Sequence, residues 1–258
     1  MSTIGVIAAR RESARLPGKH LLPIGGRPLI EQAIRYMRRI PVLDAVIVST
    51  DDDDIKAIAA NYKDVTIHHR SGKWVTDEVI GNEVILHVYD EMAAGDTNLL
   101  WIEGNTYCFD HMICQKMLAE LAGIEYRFDS KFAQVAAVMP HDHFIPGFAR
   151  LVDDNNELRS CAEWQTVPSQ WAGPYYYLYS IYILTPLFMD IVRGQRDQMK
   201  SGLPIKDYRV AGVKLNKGGA FHIHDQFDYE EACWLWERNE ITRQTALQDD
   251  HSKSGGPS

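Results

Sequence analysis

Cysteine is scarce and scattered in this chain. The four residues Cys108, Cys114, Cys161 and Cys233 include no C-x-x-C pair. Neither a disulfide framework nor a zinc-finger ligand set is indicated, and a reducing compartment fits. No apolar run reaches the length of a membrane span, and no signal-peptide pattern follows Met1, so a cytoplasmic protein is expected. Positive charge is in deficit: 27 Lys+Arg stand against 35 Asp+Glu, a formal −8. That balance argues against a general binder of nucleic acid or of anionic membrane. The G-x-G-x-x-G and G-x-x-x-x-G-K-[ST] phosphate loops are missing as well. What the chain does hold is 258 residues that are 45% hydrophobic, enough for one α/β core.

The most informative stretch is 4–30. A buried strand over 4–9 runs into a polar loop with Arg10, Arg11, Ser13, Arg15 and Lys19. Pro17-Gly18 sets a turn before the lysine, and Gly25-Gly26 precedes an amphipathic helix over 28–39. A cationic, glycine-bearing loop after a strand is how an α/β sheet presents an anion site at its C-terminal edge. Four cations within ten residues of an acidic chain point to a phosphate-rich ligand.

The run Ala8-Ala9-Arg10-x-x-Ser13-x-Arg15-Leu16-Pro17-Gly18-Lys19, followed by Pro28-Leu29-Ile30, resembles the signature of the cytidylyltransferases that activate acidic sugars. These are the CMP-Kdo and CMP-sialic acid synthetases and the spore-coat polysaccharide cytidylyltransferase-like proteins. The resemblance implies a nucleotidyltransferase fold: a Rossmann-like, mixed but mostly parallel sheet flanked by helices. It also implies transfer of CMP from CTP to an acidic acceptor, with Mg2+ as cofactor and a homodimer as the assembly. One domain over 1–248 is expected. A β-rich insertion at about 139–184 would carry acceptor recognition and the dimer contact, and the polar tail 249–258 falls outside the fold.

Beyond the loop, apolar spacing predicts strands over 45–49, 65–68, 98–103, 133–138, 174–184, 207–215 and 220–224. It predicts helices over 55–62, 78–94, 111–122, 186–192 and 227–238. The turn 153–156 between 148–152 and 157–161 reads as a hairpin. Asp51 to Asp54 read as a helix cap rather than a metal site. Pro140-His141-Asp142-His143 interleaves metal-ligating types, but neighbours on an extended segment face opposite ways.

Carried onto matching positions, the resemblance makes Arg10, Arg15 and Lys19 the catalytic cations. Ala8, Ala9, Arg10, Ser13 and Lys19 bind the nucleotide, joined by Arg70, Ser71 and Asn105 from later strand ends. Two family carboxylates are altered: where the relatives hold magnesium with aspartates, this sequence has Asn105 and His224. An amide is a poorer ligand for a hard cation, so Asp225 and Glu103 are the expected metal ligands. Tyr177, Tyr179 and His224 are the acceptor candidates. The acceptor is either a ulosonic (Kdo- or sialic-type) acid or a phosphonate or similar small phosphorylated acid. A catalytically silent nucleotide binder, or use of another NTP, is the alternative.

Overall fold

The computed structural model describes residues 1–76, 79, 81–93, 95–108, 110–128, 132–141, 150–152, 157–160, 175–195, 209–215 and 219–238. In chain order these form β1 (Ser2–Ala9), β2 (Pro23–Ile24), β3 (Arg27–Pro28), α1 (Leu29–Met37), β4 (Ala45–Thr50), α2 (Asp53–Ala60) and β5 (Val65–His69). There follow α3 (Gly81–Met92), β6 (Thr97–Glu103), β7 (Thr106–Cys108), α4 (Ile113–Phe128), β8 (Phe132–His141), β9 (Arg150–Val152) and β10 (Leu158–Ser160). The chain closes with β11 (Tyr175–Leu184), α5 (Pro186–Gly194), β12 (Arg209–Lys214), β13 (Ala220–His222) and α6 (Gln226–Arg238).

The main sheet runs β12-β8-β11-β6-β1-β4-β5, with the β9–β10 pair joined to the outer half of β11. Only β11 is antiparallel to its neighbours along that seven-strand path. The sheet is therefore mixed and mostly parallel, as the near-continuous apolar strands require once both faces are covered. Alternation along β1 sorts its side chains. Ile7 and Ala9 meet α1, α2 and α4 on one face, while Ile4, Val6 and Ala8 meet α3 and α5 on the other.

From β1 the chain moves outward to β4 and β5, then returns to the opposite flank of β1 as β6. A crevice opens where strand order reverses in this way, at the carboxyl ends of β1 and β6. Asp52 starts α2 as expected of a cap, its Oδ1 accepting the amides of Asp54 (2.9 Å) and Ile55 (3.3 Å).

Two short pairings went unforeseen. Gly25 and Gly26 do more than lead into α1: with φ of 58° and 79° they turn the β2–β3 hairpin. A Cβ on Gly25 would lie 2.1 Å from the Trp236 ring, so glycine is required there twice over. In addition, β7 pairs antiparallel with β13. The last strand accordingly stops at His222 and not at 224. A small apolar cluster of Ile24, Leu29, Tyr107, Ile223 and Ala232 then clamps α6 over the hairpin.

Among the described residues no helix is long and apolar enough to cross a membrane. The stretch 139–184 is described at the end of β8, at β9, at Glu157 with β10, and at β11; Asp142, His143 and the turn 153–156 lie outside the described residues.

Candidate active site

The loop after β1 is shaped by its backbone. Gly18 takes φ 65° and the chain makes a short 3-10 turn over Lys19–Leu21, with Leu16 O accepting the Lys19 amide at 3.2 Å. Asp51 Oδ1 accepts the Arg11 amide at 2.8 Å. That carboxylate is a tether for the loop, and the capping falls to its neighbour Asp52. Arg10, Ser13, Arg15 and Lys19 thereby come to line one side of a cavity of about 760 Å³, well within the range of small-molecule sites.

The opposite wall comes from the ends of β6 and β13. Asn105 is locked from both directions: its Nδ2 donates to Ile223 O (2.8 Å) and its own carbonyl accepts the Ile223 amide (3.1 Å). Among the described residues its buried Oδ1 has no hydrogen-bond partner. Glu103 Oε2 lies 3.0 Å from His222 Nε2. Ser180 Oγ bonds the other nitrogen of that ring, which also stacks on His224 with centroids 4.2 Å apart. Burial pushes the Glu103 carboxyl up, but the His222 contact and the charges of Lys19 and His224 outweigh it and hold the group below its usual range. Burial, then Arg15 and Arg10, pull the Lys19 ammonium below its ordinary value against the attraction of Glu103. His224 is lowered by burial and by its three cationic or imidazole neighbours His222, Arg15 and Lys19. One lip of the cavity is thus cationic, and its floor is a carboxylate set among imidazoles.

Of the sequence-derived candidates, Ala8, Arg10, Ser13, Arg15, Lys19, Arg70, Glu103, Asn105 and His224 meet at this cavity. Three do not. Ala9 is 1% exposed and faces the α1 side of the core. Ala8 O already accepts the Gly104 amide at 2.8 Å, which ties β1 to the strand end of β6. Ser71 stands exposed at the start of the next 3-10 turn, its carbonyl accepting the Trp74 amide. Asp225 is exposed and serves the helix: its Oδ1 accepts the Asp228 amide (3.0 Å), while Asp228 Oδ2 accepts those of His224 and Asp225. This reciprocal cap at the start of α6 corrects the expectation that Asp225 is the main metal ligand. The side chains of Tyr177 and Tyr179 lie outside what is described, and Tyr182 of the same strand lines the cavity instead.

Among the expected ligand positions, the oxygen donors that reach the cavity are the Glu103 carboxylate and Asn105 Oδ1. That sparse set fits magnesium, which commonly keeps several waters and takes its remaining ligands from substrate phosphates.

Sequence reasoning missed His20, Trp74, Gln134, Ser180 and His222. His20 carried a signal, following Lys19 directly in the loop motif. The others sit on elements remote in sequence and are gathered only by the fold.

The sequence model of the cytidylyltransferase family matches residues 4–143. The chain is 46% identical over 59 residues to the 3-deoxy-manno-octulosonate cytidylyltransferase of Bdellovibrio bacteriovorus, covering 23% of this chain and 24% of that one. It is 30% identical over 150 residues to the enzyme of that name from Phocaeicola vulgatus, covering 57% and 52%. The chain therefore spans about a quarter to a half of these two curated relatives. Among solved structures, CMP:2-keto-3-deoxy-manno-octonic acid synthetase complexed with CTP superposes with a TM-score of 0.67. That superposition covers 93% of this chain and all of the other at 15% identity, and it supports the fold.

Proposed function

Because the chain belongs to the cytidylyltransferase family, we propose that it transfers CMP from CTP to an acidic acceptor and releases pyrophosphate. The observation that carries this reading is the cationic lip of Arg10, Arg15 and Lys19 facing Glu103 and Asn105 across one cavity. In the reaction an acceptor oxygen attacks the α-phosphorus in line. The bond to the bridging oxygen breaks, and pyrophosphate departs with the electron pair. Such chemistry needs positioning and charge neutralisation more than covalent help. Arg10, Arg15 and Lys19 supply positive charge to the phosphates, and Ser13 supplies a hydroxyl. Glu103 and Asn105 would hold magnesium, which neutralises phosphate charge when bound.

The relatives are 3-deoxy-manno-octulosonate cytidylyltransferases, which favours a ulosonic acid of the Kdo type as acceptor. A second reading has its own support. His222 and His224 stand beside the Glu103 carboxylate, with His224 at a position where the resemblance places an aspartate. An imidazole in place of a carboxylate suits a more anionic acceptor, such as a phosphonate or phosphorylated acid. The test is pyrophosphate release with each of the four NTPs, magnesium and a panel of both acceptor classes. CTP-selective release with one class supports the reading and chooses the acceptor. Equal release with all four NTPs removes the cytidyl assignment, and no release with any pair leaves a silent nucleotide binder.

A further inference from the structure

A second cluster of metal-ligating side chains lies across the sheet edge, between β5 and α3. His68, on the edge strand β5, is 3% exposed, and its Nδ1 lies 3.0 Å from Ser49 Oγ on the neighbouring strand β4. Its Nε2 lies 3.0 Å from Glu91 Oε2. His87 stands one helical turn before Glu91 on α3, and its Nδ1 is 3.3 Å from Glu91 Oε1. The two oxygens of one carboxylate thus face one imidazole each. One ligand atom from each of the three residues lies within 4.8 Å of the other two.

We propose that His68, His87 and Glu91 form a binding site for a zinc-class divalent metal ion, separate from the magnesium position in the nucleotide cavity. The donor chemistry selects the ion. Two imidazole nitrogens and one carboxylate oxygen suit Zn2+ and its neighbours, whereas Mg2+ and Ca2+ prefer all-oxygen shells. The spacing is close to what such an ion needs. Four-coordinate zinc with bonds of about 2.0–2.1 Å holds its ligand atoms roughly 3.3 Å apart. The His68–Glu91 and His87–Glu91 separations of 3.0 and 3.3 Å are of that size, each to a different oxygen of the carboxylate. A small rotation of the carboxylate and a closer approach of the two imidazoles complete the shell.

The surroundings are those of a supported site. Ser49 Oγ can accept Nδ1–H of His68, which fixes the tautomer and leaves the Nε2 lone pair directed at the ion. Trp74 stacks flat on His87, with centroids 4.2 Å apart and an interplanar angle of 9°. The nearby Lys73 ammonium sits over the Trp74 ring, 4.3 Å from its centroid. Glu91 is half-exposed, so the ion can enter from solvent and keep a water as fourth ligand. Because Trp74 also lines the nucleotide cavity, an ion that fixes His87 also steadies that wall. The chain gives little hint of the site, since His68 and Glu91 are 23 residues apart.

The experiment uses the full chain stripped by chelator and titrated with ZnCl2 in excess magnesium, which competes for the Glu103 and Asn105 oxygens of the cavity. Co2+ in place of zinc provides a visible absorption that reports four-coordinate geometry. The expected result is one tightly bound equivalent with a tetrahedral Co2+ spectrum. His87→Ala and Glu91→Gln, both on the solvent side of the cluster, should each weaken binding roughly 100-fold. Ser49→Ala, which removes only the outer partner, should weaken it by about 10–100-fold. Cys233→Ser, a change at a thiol elsewhere on the chain, should leave it intact. Zinc should also raise the melting temperature of wild type and not of His87→Ala. If zinc uptake is absent, or is the same in His87→Ala and Glu91→Gln as in wild type, the proposal is overturned and the cluster is a hydrogen-bonded histidine pair. None of these readouts requires nucleotide transfer, so they stand apart from the test of the cytidylyltransferase reading.

Discussion

The two walls of the cavity at the carboxyl ends of β1 and β6 are built by opposite means. The lip is local: Arg10, Ser13, Arg15 and Lys19 come from one loop, shaped by Gly18 and tethered by the long-range bond from Arg11 to Asp51. The floor is assembled from distant parts. Glu103 and Asn105 come from the end of β6, Ser180 from β11, and His222 and His224 from β13 and the turn after it. A contiguous loop carries its chemistry as a motif, so it can match relatives while the rest of the chain diverges. A floor drawn from three separate segments can change its charge one residue at a time. Here it holds an imidazole and an amide, His224 and Asn105, where the resemblance places carboxylates.

The largest effect should separate the walls directly. If the lip serves the phosphates, Lys19→Ala should lower turnover by roughly 100–1,000-fold on every acceptor, with little change in melting temperature. His224→Ala, in contrast, should raise the acceptor KM roughly tenfold and leave the CTP KM alone. Steady-state kinetics with both substrates varied would show it. A Lys19→Ala variant with normal turnover, or a His224→Ala variant that loses CTP affinity, would merge the two walls into one function.

Next in size is a pH effect rooted in the lip. His20 is 5% exposed; burial, then the Lys19 charge, lowers its pKa from 6.5 to about 4. Between these values the unfolded chain binds a proton that the folded chain refuses, so stability falls as the pH drops. The contribution is complete above about 6.5 and is lost progressively toward about 4, up to about 3 kcal/mol. Urea midpoints of wild type and His20→Asn across that window should show a steep wild-type slope and a flatter variant. Parallel slopes would mean that His20 is not the group refusing the proton.

The smallest effect sharpens the contrast from outside the cavity. Asp51 and Asp52 are adjacent, yet Asp51 holds the loop while Asp52 caps α2. Asp52→Ala should cost about 1 kcal/mol of stability, as loss of a capping side chain does, and leave the nucleotide kinetics unchanged. Denaturant unfolding together with the CTP KM measures both. A changed KM with unchanged stability would reverse the roles of the two carboxylates.

The sequence by itself determined the main strands and helices, the layered α/β class and the cationic loop. Each rests on short-range physics: apolar period, glycine turns, and charge concentrated within ten residues. It also identified Glu103, Asn105 and His224 as altered or compensating positions. Only the tertiary structure decided what those residues do. A carboxylate beside a helix start can face a ligand or a backbone amide with equal local propensity. The pairing of β7 with β13 sent Asp225 to the α6 cap and turned Asn105 Oδ1 into a buried acceptor. The same holds for His222 and Ser180, and for His68 meeting Glu91 across the sheet edge. Such contacts depend on which strands become neighbours, and strand order is set by the burial of whole faces rather than by any residue's own neighbours in the chain.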